Sequence, residues 1–198
     1  MINPTSTPQP VSTPMSTEDR IWLQRAAELH GPLARAAKRG MGNGMGYAVF
    51  GVLSLVFASL GWDIIGLILG AVLLGVGLYE RAQSKRLLQA DTAAPLRLAS
   101  GELVLLGAIA LYGVIGLTVL PAASEVLTQQ LRGTEGLGLD VVKLANSINT
   151  IWNTTVIAIS LLYQGGMARY FFKRRSDMTR YLGEVPAWAR EVVESMAK

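Results

Sequence analysis

The sequence has no cysteine and a single histidine, His30. Without cysteine the chain has no disulfides, no thiolate metal site and no cysteine nucleophile. His30 lies outside every long apolar stretch, so it is poorly placed to ligate haem or chlorophyll inside a membrane. The chain also lacks a His-Glu-x-x-His motif and a recognisable nucleophile beside a base. We therefore expect no enzymatic activity, no cofactor and no metal.

Charged residues are also scarce, at 16% of the chain, and four long windows contain none. The windows lie between Arg39 and Asp63, Asp63 and Glu80, Glu102 and Glu125, and Lys143 and Arg169. At a helical rise of about 1.5 Å per residue, each window can cross most or all of a hydrocarbon layer of about 30 Å. The pattern predicts four membrane spans.

We predict an all-α integral membrane protein, a four-transmembrane-helix bundle with an N-terminal amphipathic helix and cytosolic helical extensions. The spans are placed at about 44–60, 63–80, 102–120 and 149–168, within a bundle that covers residues 44–182. Gly61-Trp62-Asp63 is expected to form a tight turn in which Asp63 caps the second helix. Asp91 to Pro95 should end the second helix, and a new helix should then lead into the third span. Gly183 should end the last long helix, and a short C-terminal helix is predicted at 186–198.

The N-terminal region has two parts. Residues 1–16 form a Pro/Ser/Thr-rich tail that cannot build a core. Residues 17–39, which Thr17 should cap, form an amphipathic helix that His30-Gly31-Pro32 is expected to break or kink. It either lies on the inner membrane surface or docks on the protein's own cytosolic helices. The glycine-rich 40–46 that follows is a flexible joint or a close-packed start to the first span.

Lysine and arginine are distributed unevenly around the predicted spans. Five precede the first span, four lie between spans two and three, and seven follow span four. The remaining two, Arg132 and Lys143, lie in the segment before span four. Because basic residues favour the cytoplasmic side, we predict a multi-pass protein of the plasma (bacterial inner) membrane with both termini in the cytoplasm. The basic residues are then expected to interact with the lipid bilayer, and we expect no binding of nucleic acid.

Small residues recur on one face of each of the first two spans. They are Gly44, Ala48, Gly51 and Ala58 in span one, and Gly66, Gly70 and Gly77 in span two. Such residues allow close approach of helix backbones in lipid. We interpret them as internal packing, with a subunit interface as the alternative.

Span four carries a stripe of polar side chains at helical spacing, which we call the polar stripe. Its members are Asn146, Asn149, Thr150, Asn153, Ser160 and Gln164. A polar face of a membrane helix should turn away from lipid. It can bond to neighbouring helices of the bundle, line a pore between several subunits, or bind a partner's helix or a lipid headgroup. Interhelical bonding within the bundle is the interpretation we favour.

Acidic residues stand at span ends in this prediction. Asp63, Glu80 and Glu102 are expected to be satisfied there by capping and by solvent at the interface. A proton- or sodium-coupled transporter usually needs a carboxylate inside the membrane or an unwound helix, and the sequence indicates neither.

A basic cluster follows span four and consists of Arg169, Lys173, Arg174 and Arg175. It is a membrane-interface anchor, which we interpret as an ordinary topology signal, with a preference for anionic lipid as the alternative. Taken together, the features predict a non-enzymatic accessory or assembly subunit of a membrane complex, associated with other membrane subunits by helix packing. The alternative is a small homo-oligomeric channel lined by the polar stripe.

Overall fold

The structure, a computed structural model, describes residues 15–118 and 140–196, and every regular element in these ranges is an α-helix. The helices are α1 (Thr17–Leu60), α2 (Ile64–Leu88), α3 (Ala94–Thr118), α4 (Val141–Glu184) and α5 (Ala187–Met196). The predictions for residues 1–14 and 119–139, which cover most of the tail, the end of span three and the segment after it, lie outside the described residues.

Local capping explains several helix ends. Asp63 caps α2, and its Oδ1 accepts from the backbone N–H groups of Ile65 at 3.1 Å and Gly66 at 3.0 Å. The predicted break at 91–95 is confirmed, because α2 ends at Leu88 and α3 begins at Ala94. The predicted cap of α1 is wrong by one residue. Ser16, rather than Thr17, caps the helix in a reciprocal capping box with Asp19.

Of the predicted break or kink at His30-Gly31-Pro32, the break is wrong. α1 runs without interruption for 44 residues and contains Pro32. A proline inside a helix costs roughly 3 kcal/mol or more, so the surrounding packing must offset that loss. Ala26, His30 and Leu33 are all buried around this point, so tertiary contacts are available to keep the helix continuous through the proline. The glycine-rich 40–46 is helical as well.

Three of the helices, α1, α2 and α3, contain stretches long and apolar enough to cross a membrane. The chain is therefore a multi-pass helical membrane protein. α1 packs along α2 and α3 along α4, while contacts of α2 with α3 and of α1 with α4 join the two pairs. At about 1.5 Å per residue, the 44-residue helices α1 and α4 are about 66 Å long, so each extends well beyond a hydrocarbon layer.

The half of the bundle nearer the two termini has a hydrophobic core of its own, which we call the terminal core. Its members are Ala26, Leu33, Ala36, Ala37, Leu87, Ala94, Leu98, Ala99, Phe171, Met178, Tyr181, Val185 and Ala189. The predicted amphipathic segment 17–39 buries its apolar face here, on the chain's own helices. Burial, with Glu194 beside the hydroxyl, raises the pKa of Tyr181 to about 12.

Away from the terminal core, α1 and α2 are held together by glycine. A Cβ atom on Gly51 would lie 2.5 Å from the backbone nitrogen of Leu74, and one on Gly77 would lie 2.6 Å from the carbonyl oxygen of Gly44. Gly70 approaches the backbone of Leu55 in the same way, at 3.0 Å. We call this glycine contact between α1 and α2 the seam. Large side chains outside the seam are exposed, as expected where a helix faces lipid; they include Phe50, Phe57 and Ile68.

Candidate functional site

The polar stripe of α4 divides into an outer exposed part and an inner buried part. Asn146 and Thr150 are exposed and Asn149 is half-buried. Asn153, Ser160 and Gln164 are buried, with 5%, 5% and 6% of their surface exposed. Burial within one chain means that these three side chains face neighbouring helices of the same molecule.

The stripe reaches α3 through its two central asparagines. Asn149 Nδ2 donates to the carbonyl oxygen of Gly116 on α3 at 3.1 Å. Asn153 Nδ2 donates to Asn149 twice, at 2.9 Å to the backbone oxygen and 2.8 Å to Oδ1. Gly116 makes room for this pair, since a Cβ atom there would lie 2.7 Å from Asn153 Oδ1. Asn149 therefore ties α4 to α3 through a hydrogen bond, and Asn153, which holds Asn149 from the same helix, needs the glycine opposite.

The small residues predicted for packing lie in the seam between α1 and α2. Gly44, Gly51, Gly70 and Gly77 are in backbone contact across it. Ala58 lies beside Gly66, at 3.0 Å from the position a Cβ atom would take there, and Ala48 lies beside Gly77.

Glu80 and Glu102 contradict the expectation that they are solvated at span ends. Both are completely buried, with 0% of their surface exposed, Glu80 on α2 and Glu102 on α3. Their carboxyl groups lie within hydrogen-bonding reach of each other. Other helices cover this region, with Asn43 and Tyr47 of α1 in contact with Glu102, so a position near the end of an apolar window does not bring these carboxyl groups to the surface. We call them the carboxyl pair.

Neutral polar side chains from α1 and α4 surround Glu102. Asn43 Nδ2 donates to its Oε1 at 3.2 Å, and the Tyr47 hydroxyl donates to its Oε2 at 3.0 Å. The Tyr163 hydroxyl of α4 in turn donates to Asn43 Oδ1 at 3.0 Å. A continuous hydrogen-bond chain thus joins α4, α1 and α3 at the carboxyl pair.

Glu80 lies in a different environment from Glu102. Neither of its oxygens receives a donated hydrogen bond from the part of the chain that the structure describes. Gly101 is beside it, since a Cβ atom there would lie 3.7 Å from Glu80 Oε1. The next polar groups along the same face of α2, Gln83 Oε1 and Ser84 Oγ, are also buried without a partner within residues 15–118 and 140–196.

One member of the basic cluster after the predicted fourth span, Arg174, lies over the ring of Tyr170. The guanidinium of Arg174 lies 4.7 Å from the centre of the Tyr170 ring, and that of Arg39 lies 4.8 Å from it. Arg174 also pairs with Asp177. Arg169, Lys173 and Arg175 are exposed. Arg174 is thus engaged within the fold, and the other three basic residues are accessible from outside.

No group of three or more His, Asp or Glu side chains that could hold a metal ion occurs in the described ranges. Comparison with protein-family models, curated proteins and solved structures gave no match. Any function must therefore be argued from the side chains themselves.

Sequence reasoning placed the polar stripe but missed the carboxyl pair. Glu80 and Glu102 border two different apolar windows and lie on different predicted helices. Their separation of 22 residues in the sequence therefore does not predict that they meet. One signal was present in the sequence: Glu80, Gln83 and Ser84 share a helix face with few basic residues to pair with. That pattern indicates a polar surface turned inward.

Proposed function

We propose that the protein is a non-enzymatic, four-span subunit of a bacterial inner-membrane complex, which acts by packing its helices against another membrane protein. The fourth span is the part of α4 near 149–168, and both termini are cytoplasmic, in agreement with the uneven distribution of lysine and arginine. The helices of the terminal half then form a cytoplasmic extension of the bundle.

One observation carries this proposal: the inner part of the polar stripe is buried within the chain. Asn153 is 5% exposed and is bonded to Asn149, which in turn bonds α3. Asn149 makes the interhelical bond and Asn153 holds Asn149 from the same helix, so the buried Asn153 side chain is not free to line a water-filled pore between subunits. This favours an assembly role over the homo-oligomeric channel.

The test compares conductance and assembly in the same preparation. The full-length protein, isolated in lipid nanodiscs from its native membrane, should have the mass of a complex with a different polypeptide at fixed stoichiometry. Reconstituted alone in liposomes, it should give no ion conductance above that of empty liposomes. A ring of identical subunits that conducts ions would overturn the proposal.

Two variants sharpen the test. Asn153→Leu removes the bonds to Asn149 and should lower stability by about 1–3 kcal/mol, while Ser160→Ala should have a smaller effect. Thr155→Val, an exposed position on the opposite side of α4, is the matched control and should behave like the wild type. If the protein is a channel, Asn153→Leu and Ser160→Ala should instead change its conductance and should not lower the stability of the ring of subunits.

A further inference from the structure

The carboxyl pair brings two hydrogen-bond acceptors together where neither can reach water. Glu80 and Glu102 are both 0% exposed, and their carboxyl groups lie within hydrogen-bonding reach. Two ionised carboxylates cannot bond to each other, because each is an acceptor only. A hydrogen bond between them requires that one of the two carries a proton.

The surrounding donors distinguish the two members of the pair. Glu102 accepts from Asn43 at 3.2 Å and from Tyr47 at 3.0 Å, and such donated bonds favour the ionised form of a carboxyl group. Glu80 receives no donated bond from the described residues. Burial without donors disfavours a charged carboxylate. Glu80 is therefore the member that holds the proton, and Glu102 is the member that accepts the hydrogen bond.

No basic side chain in the described ranges forms an ion pair with either carboxyl group. Arg81 follows Glu80 in the chain, but its guanidinium reaches Met45 Sδ at 3.7 Å. The other titratable groups that face the pair are the hydroxyls of Tyr47 from α1 and Tyr163 from α4, both of which act as neutral donors. The negative charge of the pair is not offset by a cationic side chain of this part of the chain.

We propose that Glu80 and Glu102 form a proton-binding site that holds one exchangeable proton. In the bound state Glu80 is a neutral acid that donates to the Glu102 carboxylate, and the pair carries one negative charge. Release transfers the proton from Glu80 to water and leaves two negative charges in a buried space. This inference goes beyond the packing role above, because it assigns a ligand and a titratable state to the centre of the bundle.

The site also links protonation to helix packing. Its members come from α2 and α3, and the hydrogen-bond chain through Asn43 and Tyr163 extends it to α1 and α4. Two like charges at this place repel each other and disfavour the closed arrangement of α2 against α3. Proton release should therefore loosen the contact on which four helices converge.

Infrared spectroscopy of the full-length protein in lipid nanodiscs tests the assignment directly. At neutral pH the wild type should show a protonated-carboxyl carbonyl band that shifts in deuterated water. Glu80→Gln, which keeps the shape of the neutral acid and can still donate to Glu102, should lack that band. Glu191→Gln, at an exposed acid on α5, is the control and should retain it.

Three outcomes would overturn the proposal. The first is a wild-type spectrum without a protonated-carboxyl band at neutral pH, which would mean that both groups are ionised. The second is a band that persists unchanged in Glu80→Gln. The third is a band that appears only after metal cations are removed, which would assign the site to a metal ion. Should Glu80→Gln fail to fold, Glu80→Asp keeps a carboxyl group and must shift the band rather than abolish it.

Discussion

At the scale of single residues, glycines bring the backbones of α1 and α2 into close contact. A Cβ atom on Gly77 would lie 2.6 Å from backbone atoms of both Gly44 and Ala48. These are backbone atoms, so the clash cannot be relieved by turning a side chain. The seam can form only because these positions lack a side chain.

We predict that Gly77→Ala lowers the stability of the protein by about 1–3 kcal/mol, because α1 and α2 must move apart to admit the methyl group. Reversible unfolding in mixed micelles provides the measurement. Gly75→Ala is the matched control two residues earlier on the same helix, where a Cβ atom meets nothing within 4 Å. It should be neutral, or stabilising by up to about 1 kcal/mol through helix propensity. Equal effects of the two substitutions would contradict the role of the seam.

Residue patterns in the sequence predicted some of these contacts and not others. Asn149 and Asn153 were recognisable because polar side chains at helical spacing stand out within an apolar span. Glu80 and Glu102 were not, because their contact depends on how α2 and α3 pair in space. The polar face of α2 that contains Glu80 indicates a surface turned inward, but nothing local indicates which helix that surface meets.

At the scale of helices, α1 and α4 are joined by an ion pair between Arg25 and Glu184, with Arg25 Nη2 2.7 Å from Glu184 Oε2. Arg180 adds a second bond to the same carboxylate at 3.2 Å. The guanidinium of Arg25 first, and then that of Arg180, hold the pKa of Glu184 below its ordinary value. The pair links the N-terminal part of α1 to the C-terminal end of α4.

We predict that Arg25→Gln lowers the melting temperature slightly at neutral pH, by an amount that high salt reduces, since the pair is solvent-exposed. The folded-state pKa of Glu184 lies below the unfolded-state value. The pair therefore stabilises the protein above the unfolded pKa, and this contribution is lost as the pH falls through the folded pKa. Melting curves of wild type and variant should converge in acid. A gap that widens as the pH falls would be inconsistent with this pair.

In the same helix, α1, tertiary packing overrides a local preference of the sequence. Pro32 predicts a break, because it removes a backbone donor and clashes with the preceding turn. The terminal core contacts α1 on both sides of that proline, at Ala26 and at Leu33, Ala36 and Ala37. Tight turns, by contrast, were predictable. Asp63 and the Asp91–Pro95 break act through bonds to their immediate neighbours in the chain.

At the scale of the whole molecule, the number of spans decides on which side of the membrane the two ends lie. α1, α2 and α3 are each long and apolar enough to cross. A fourth crossing within α4 would place both ends on one side, whereas three crossings would place them on opposite sides. The absence of cysteine makes this question accessible, because every introduced thiol is unique.

We predict that Ala27→Cys and Ser176→Cys, both at exposed positions, react with a membrane-impermeant maleimide from the cytoplasmic side only. Gly61→Cys, in the turn between α1 and α2, should react only from the opposite side. The readout is labelling of intact spheroplasts compared with inverted vesicles. Labelling of positions 27 and 176 from opposite sides would rule out the four-span arrangement.

The same cysteine-free background allows the most direct test of whether the polar stripe serves packing within one chain. Asn153→Cys and Ser160→Cys are labelled with the impermeant maleimide in the folded protein in membranes, with Gly61→Cys as the reactive reference. We predict that positions 153 and 160 remain unlabelled, because both side chains are buried against neighbouring helices of the chain. Rapid labelling of both positions would show that water reaches the polar stripe along α4. It would contradict an assembly role in which these side chains are buried within the bundle.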